Sequence, residues 1–141
     1  SETIDSLSKK KIIKCEEERF DFKNTKISSG LNGVGRIFLP TSSVYSTLVA
    51  SDTSDYIALE SLNKNNHDDY KKQFLEKIYL KSKYRKITCR EACRIQGFPE
   101  DFVLPESRTR WMKLLGNSVS IPVIESLIES IIQTGLFDSN N

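Results

Sequence analysis

The sequence predicts an α+β fold: a small β-rich region with short helices and a C-terminal amphipathic helix. Three observations predict it. Short runs rich in β-branched and aromatic residues, "RIFL" at 36–39 and "DYIALE" at 55–60, lie mid-chain between turn-forming residues. Thr88-Cys-Arg-Glu91 has the spacing of a capping box, in which the Thr hydroxyl takes an amide three residues on and the Glu reaches back. Ile124, Leu127, Ile128, Ile131 and Ile132 recur at the spacing that gathers side chains on one helical face. No internal repeat interrupts this order.

Taken in order, residues 3–20 read as a helix. Ile4, Leu7, Lys11, Ile12 and Cys15 recur at helical spacing, and Ser6 or Ser8 is placed to cap the start. "SSGLNGVGRIFLP" at 28–40 packs three glycines into six residues, a sharply turned loop, before a strand that Pro40 stops. "SVYSTLVASD" at 43–52 predicts another short strand. "NKNNHDD" at 63–69 reads as a polar loop, after which Asp68 or Asp69 opens a helix with Tyr70, Phe74, Leu75 and Ile78 on one face.

The last third is punctuated most clearly. The helix that starts at Thr88 turns Ala92, Ile95 and Cys89 inward, ends at Gly97, and is barred from continuing by Pro99. A second short helix covers 107–115 and stops at Gly116. A third covers 121–134, with Pro122 in its first turn and Gly135 closing it.

The chain has 141 residues, 38% hydrophobic and 28% charged, a globular composition. Its 21 Lys+Arg against 19 Asp+Glu leave a net charge of +2, which does not by itself announce a nucleic-acid protein. Two stretches are locally basic, 9–14 and 81–94, as solvated faces usually are. Three cysteines without a secretory-type segment lead to the expectation of a reducing compartment. No uninterrupted apolar run reaches the roughly 18 residues of a membrane span, so no membrane partner is expected.

Catalytic candidates are few. His67, the one histidine, sits among polar residues. Cys89 and Cys93 have no second Cys or His pair to complete a tetrahedral zinc site, so no metal is expected. Cys15 precedes three glutamates, whose charge disfavours a thiolate. "GLNGVG" lacks the Lys-Ser/Thr ending of a phosphate loop. No residue of the chain is assigned a catalytic role.

Two dense segments carry a resemblance. "ITCREACRIQGFPEDF" (87–102) and "LLGNSVSIPVIESLI" (114–128) resemble the last two conserved motifs of the cytosine-5 DNA methyltransferases. The first carries Arg90, Glu91, Arg94, Gly97, Phe98 and Pro99 of an Arg-Glu-x-x-Arg-h-x-Gly-Phe-Pro block. The second carries Gly116, Asn117, Ser118 and Val119. Upstream, Gly33-Val-Gly35-Arg36-Ile37-Phe38 and then Thr47-Leu48 are similar to that family's variable target-recognition region, so that the likeness covers about residues 30–134.

The departures are as informative. The family's reaction uses a nucleophilic Cys in a Pro-Cys pair, a Glu in Glu-Asn-Val and a Phe-x-Gly-x-Gly loop for S-adenosylmethionine, and this chain contains none of the three. The resemblance therefore implies a C-terminal piece, a natural subunit or an excised fragment, inactive alone. Its partners would be double-stranded DNA and a catalytic chain carrying Pro-Cys and Glu-Asn-Val. It would work in restriction-modification, in the prokaryotic cytoplasm or wherever the DNA is. The division expected is an N-terminal helical segment at 1–29, a target-recognition region at 30–104, and C-terminal helices at 105–141 that pack on the catalytic domain.

By the same resemblance, Asn117, Ser118 and Val119 line the S-adenosylmethionine site, and Asn32, Gly33, Arg36, Thr47 and Leu48 are the DNA-binding residues. The block at 88–99 would be a scaffold, with Arg90, Glu91 and Arg94 pairing along and across its helix. Several plainer readings stand beside these. Asn117 would be an amide capping a helix joint, Gly30, Gly33 and Gly35 would make a surface hairpin, and 121–134 would be a core helix. Alternative functions are a non-catalytic, sequence-selective DNA-binding module of the same ancestry, an RNA-directed relative, or an α+β domain that only holds an oligomer together.

Overall fold

In the computed structural model, residues 14–16, 18–23, 29–63, 67–136 and 138 are described. They belong to two compact units, one of residues 1–46 and 53–87, the other of 47–52 and 88–141. The α+β class holds.

Among the described residues, the first unit shows a five-stranded sheet and a helix. The strands are β1 (Lys14–Glu16), β2 (Arg19–Asp21), β3 (Arg36–Phe38), β4 (Asp55–Ala58) and β5 (Tyr84–Arg85), in the spatial order of the sequence. All neighbours are antiparallel except β3 and β4, which run parallel with Ile37 opposite Tyr56. Helix α1 (His67–Phe74) runs directly into a π-helical turn, Leu75–Tyr79. Phe20, Phe22, Val34, Ile37, Leu39, Tyr70, Phe74, Leu75, Ile78 and Tyr79 form one buried cluster. The Phe20 and Phe74 rings stack at 3.6 Å, 5° from parallel.

The helix expected over 3–20 is corrected over its second half. Lys14–Glu16 and Arg19–Asp21 form a hairpin. The reason lies in the period: Phe20 and Phe22 are both fully buried while Arg19 and Asp21 are partly exposed, an alternation of two that a helix cannot deliver. Residues 1–13 lie outside the described residues. The strand expected at 43–52 is also corrected. A parallel β3–β4 pair needs a crossover connection rather than a hairpin. Residues 39–54 supply it without a ladder of their own, and Val44 and Val49 are exposed. The polar loop ends earlier than expected, because α1 already begins at His67.

The glycine-rich loop resolves into a tight hairpin. Leu31 and Val34 exchange backbone hydrogen bonds of 2.8 and 2.9 Å, with Asn32 (φ 50) and Gly33 (φ 78) at the tip. Two successive positive φ values are what a two-residue turn of the right twist demands, and Asn-Gly supplies them at low cost.

The second unit holds α2 (Cys89–Gln96), α3 (Arg108–Gly116) and α4 (Ile121–Gln133). The capping box is present in full, with Thr88 accepting from the Glu91 N–H and Glu91 accepting from the Thr88 N–H. At the other end Gly97 stands at φ 77, and the N–H groups of Gly97 and Phe98 reach the carbonyls of Arg94 and Cys93. This is a Schellman closure. The inward face differs from expectation: Ala92 and Cys93 are buried, while Ile95 is 40% exposed. Burial also pushes the Cys93 thiol up from its ordinary pKa. The expected Arg90–Glu91–Arg94 pairing is corrected as well. Glu91 is drawn to Thr88, Arg94 pairs with Glu100 at 2.5 and 3.0 Å, and Arg90 donates to the Phe102 carbonyl.

Helix α4 buries none of its residues. Val123, Leu127, Ile128 and Ile132 are all at least half exposed. By hydropathy the stretch Arg108–Gln133 reaches 1.3, in the range of a membrane span. It is, however, two helices broken at 117–120. The longer, of 13 residues, rises about 20 Å against the roughly 30 Å of a bilayer's hydrocarbon.

Candidate functional site

The Gly-Asn-Ser-Val turn joins α3 to α4, and its shape is set by groups outside it. The Ser118 hydroxyl donates to the Leu115 carbonyl at 2.6 Å. The Gln96 amide donates to the same carbonyl at 3.0 Å and to the Ser118 hydroxyl at 3.1 Å. The C-terminal carbonyl that a helix leaves over is thus met by two side chains, besides the Ser118 backbone N–H at 3.1 Å. Trp111, Met112 and Leu115 anchor α3 beneath the turn. A Cβ on Gly97 would lie 2.4 Å from the Pro122 ring, so the end of α2 and the start of α4 meet only because Gly97 has no side chain. The two conserved-looking blocks therefore build one joint.

Within that joint Asn117 stands apart. It is exposed, and among the described residues its side-chain amide makes no hydrogen bond. Its backbone N–H closes α3 onto Lys113, and Gln96 and Ser118 perform the capping that the plainer reading gave to the Asn117 side chain. An unoccupied amide offers two donors and one acceptor. Val119 is 60% exposed beside it, and Ser118 is partly buried.

Gly116 fixes a second contact. A Cβ there would lie 2.2 Å from the Ala50 N and 2.3 Å from the Val49 carbonyl carbon. The backbone of 49–50 therefore rests directly on the glycine. Thr47, just before it, is exposed, and Leu48 is buried at 7%.

The remaining sequence-derived candidates lie in the first unit. Asn32 and Gly33 are exposed at the hairpin tip, where the Asn32 amide donates to the Tyr79 hydroxyl at 3.4 Å. Burial raises the Tyr79 pKa, and the Asn32 hydrogen bond opposes the rise. Nothing lies within 4 Å of where a Gly33 Cβ would be. Arg36 is held between two carboxylates, Asp21 at 3.3 Å and Asp55 at 3.7 Å, with 31% of its side chain exposed. Asp55 is buried and also accepts from the Ser46 hydroxyl at 2.6 Å.

Sequence reasoning missed Gln96, Asp52 and Arg108 as supports of these elements. Gln96 sits inside the quoted Gly-Phe-Pro block, but its two acceptors lie 19 and 22 residues away. Among the described residues no group of three His, Cys, Asp or Glu gathers as a metal site would.

A family model described as C-5 cytosine-specific DNA methylase matches residues 3–133. The type II methyltransferase M.HgiBI of Herpetosiphon aurantiacus is 35% identical over 136 residues, 96% of this chain and 31% of that protein. M.SsoII of Shigella sonnei is 58% identical over 50 residues, 36% of this chain and 13% of that protein. Among solved structures, the S. pombe Dnmt2 methyltransferase has a similar fold, with a TM-score of 0.51 at 24% identity, over 72% of this chain and 33% of that one. The chain spans about a third of the length of M.HgiBI.

Proposed function

Because this chain belongs to the C-5 cytosine-specific DNA methylase family, we propose that it is the C-terminal, target-recognition part of such an enzyme. It supplies DNA contacts and one wall of the S-adenosylmethionine site. A separate catalytic segment, carrying Pro-Cys and Glu-Asn-Val, supplies the nucleophile. The observation that carries this reading is α4, an apolar helix with no buried residue. Such a face in water marks a surface made to be covered, and the occupant is the catalytic segment of the longer protein, since M.HgiBI is about three times as long as this chain.

S-adenosylmethionine supplies the methyl group that goes to C5 of cytosine. The residues present fit it. The free amide of Asn117 suits the amino-acid end of the cofactor, the Ser118 backbone flanks it, and Val119 offers an apolar wall. On the DNA side, a base flipped out of the stack leaves its neighbours to be read in the major groove. Asn32 and Gly33 present a narrow, exposed tip for that purpose, and Thr47 an exposed hydroxyl. Arg36 meets phosphate or guanine with the part of its guanidinium left exposed between Asp21 and Asp55, and Leu48 seats the backbone beside Thr47. The protein acts where the DNA is, in the cytoplasm of a prokaryotic cell.

Asn117→Ala in the reassembled enzyme should weaken S-adenosylmethionine binding about tenfold, as expected for lost hydrogen bonds to a charged group, with DNA affinity kept. Equilibrium dialysis with labelled cofactor measures it. Unchanged cofactor affinity would remove Asn117 from the site.

A further inference from the structure

Residues 47–52 have no strand to hold them, yet their exposure alternates. Thr47, Val49 and Ser51 are exposed, Leu48 is buried, and Ala50 and Asp52 are partly buried. A turn shapes the segment, with the Asp52 N–H donating to the Val49 carbonyl at 2.9 Å. Gly116 seats its middle. Arg108 holds its far end. Arg108 donates from Nε to Asp52 Oδ2 at 2.8 Å and from Nη2 to Oδ1 at 3.4 Å. The guanidinium lies 4.9 Å from the centre of the Trp111 ring, and Trp111 is buried. Asp52 itself stands at φ 63, a conformation that a non-glycine residue keeps when its surroundings hold it there. A forked cation braced on a rigid ring fixes both carboxylate oxygens at once, which a lysine ammonium does not.

We propose that Arg108 is a positioning residue for DNA recognition. It touches no DNA. It locks Asp52, and through the turn it holds the exposed residues Thr47, Val49 and Ser51 in place on the backbone that rests on Gly116. The proposal rests on the reading of this chain as the recognition part of a methyltransferase. It adds a residue that the conserved-looking blocks do not contain, and it makes the α3 helix a determinant of DNA affinity as well as a support of the cofactor turn.

The test uses the complete enzyme, this chain with its catalytic segment, carrying Arg108→Gln, Asp52→Asn, both together, or Arg108→Lys. Each single change should raise the KM for duplex DNA roughly fivefold, the scale of one half-exposed ion pair. The KM for S-adenosylmethionine and kcat should move less than about twofold. The double variant should be no worse than either single one, because both remove the same contact. Arg108→Lys should fall between, keeping charge without the fork. Melting curves within a few degrees of the parent show that the variants fold. An unchanged DNA KM in the single variants, additive losses in the double one, or equal losses for DNA and cofactor would each overturn the proposal. A parent enzyme that methylates no DNA would instead overturn the underlying reading, and this proposal with it.

Discussion

The two units solve the problem of burying apolar surface in opposite ways. The sheet unit closes its core with its own residues: Phe20, Phe22, Phe74, Leu75 and Ile78 are all fully buried. The helical unit buries Trp111, Met112, Leu115, Ala92 and Cys93 and then leaves α4 uncovered, with Leu127 at 54% and Ile132 at 62% exposure. Both are built from ordinary helix and strand sequences, so the contrast is not one of propensity. It teaches that, among the described residues, the first unit covers its apolar side chains while the second leaves those of α4 in solvent.

The contrast breaks most sharply at Phe74. Phe74→Ala removes a ring stacked on Phe20 and should cost the sheet unit about 3–5 kcal/mol in urea unfolding. A loss below about 1 kcal/mol would mean that this core is not closed. Next in size is Gly97→Ala. It forces a side chain into φ 77 and against the Pro122 ring, for about 2 kcal/mol confined to the helical unit. Hydrogen exchange resolved by residue would show α2 and α4 loosening while the β2 and β3 amides stay protected.

A smaller effect separates the buried from the unburied side of the same unit. Burial raises the Cys93 pKa, so its thiol is neutral at pH 7 and should alkylate more slowly than Cys89, as read by peptide mass mapping. The sign follows from the direction of the shift. The protonated thiol favours the fold below the ordinary thiol value, and that contribution fades as pH rises through the higher folded value. The smallest effect is expected on the exposed helix. Leu127→Glu with Ile128→Glu should change the stability of this chain by less than about 0.5 kcal/mol. The same pair should abolish association with the catalytic segment. A large loss of stability would show that α4 already has its cover.

How far the fold was legible followed the range of the interactions. The capping box at Thr88, the Gly97 stop, Pro122 and the α4 stripe depend on residues a few positions apart, and the structure has all four. The hairpin at 14–21 did not read correctly because Cys15 continues the helical spacing that Ile4, Leu7 and Ile12 set in the sequence before it. The deciding partner of Phe20 is Phe74, far along the chain. The strand read into 43–52 had the right residue types but no neighbour to pair with. For the proposed site, the candidates Asn117, Asn32, Gly33, Arg36, Thr47 and Leu48 came from the resemblance alone. What no local pattern discloses is that Gln96 relieves Asn117 of capping, that two carboxylates hold Arg36, and that Arg108 reaches Asp52 across 56 residues.

The most direct test of the central claim is methyl transfer from labelled S-adenosylmethionine to duplex DNA. It is run with this chain alone, with the catalytic segment alone and with the two mixed. The account predicts transfer only in the mixture, at C5 of cytosine and at a defined sequence. Transfer by this chain alone would contradict it, because the chain contains no Pro-Cys nucleophile to perform the reaction.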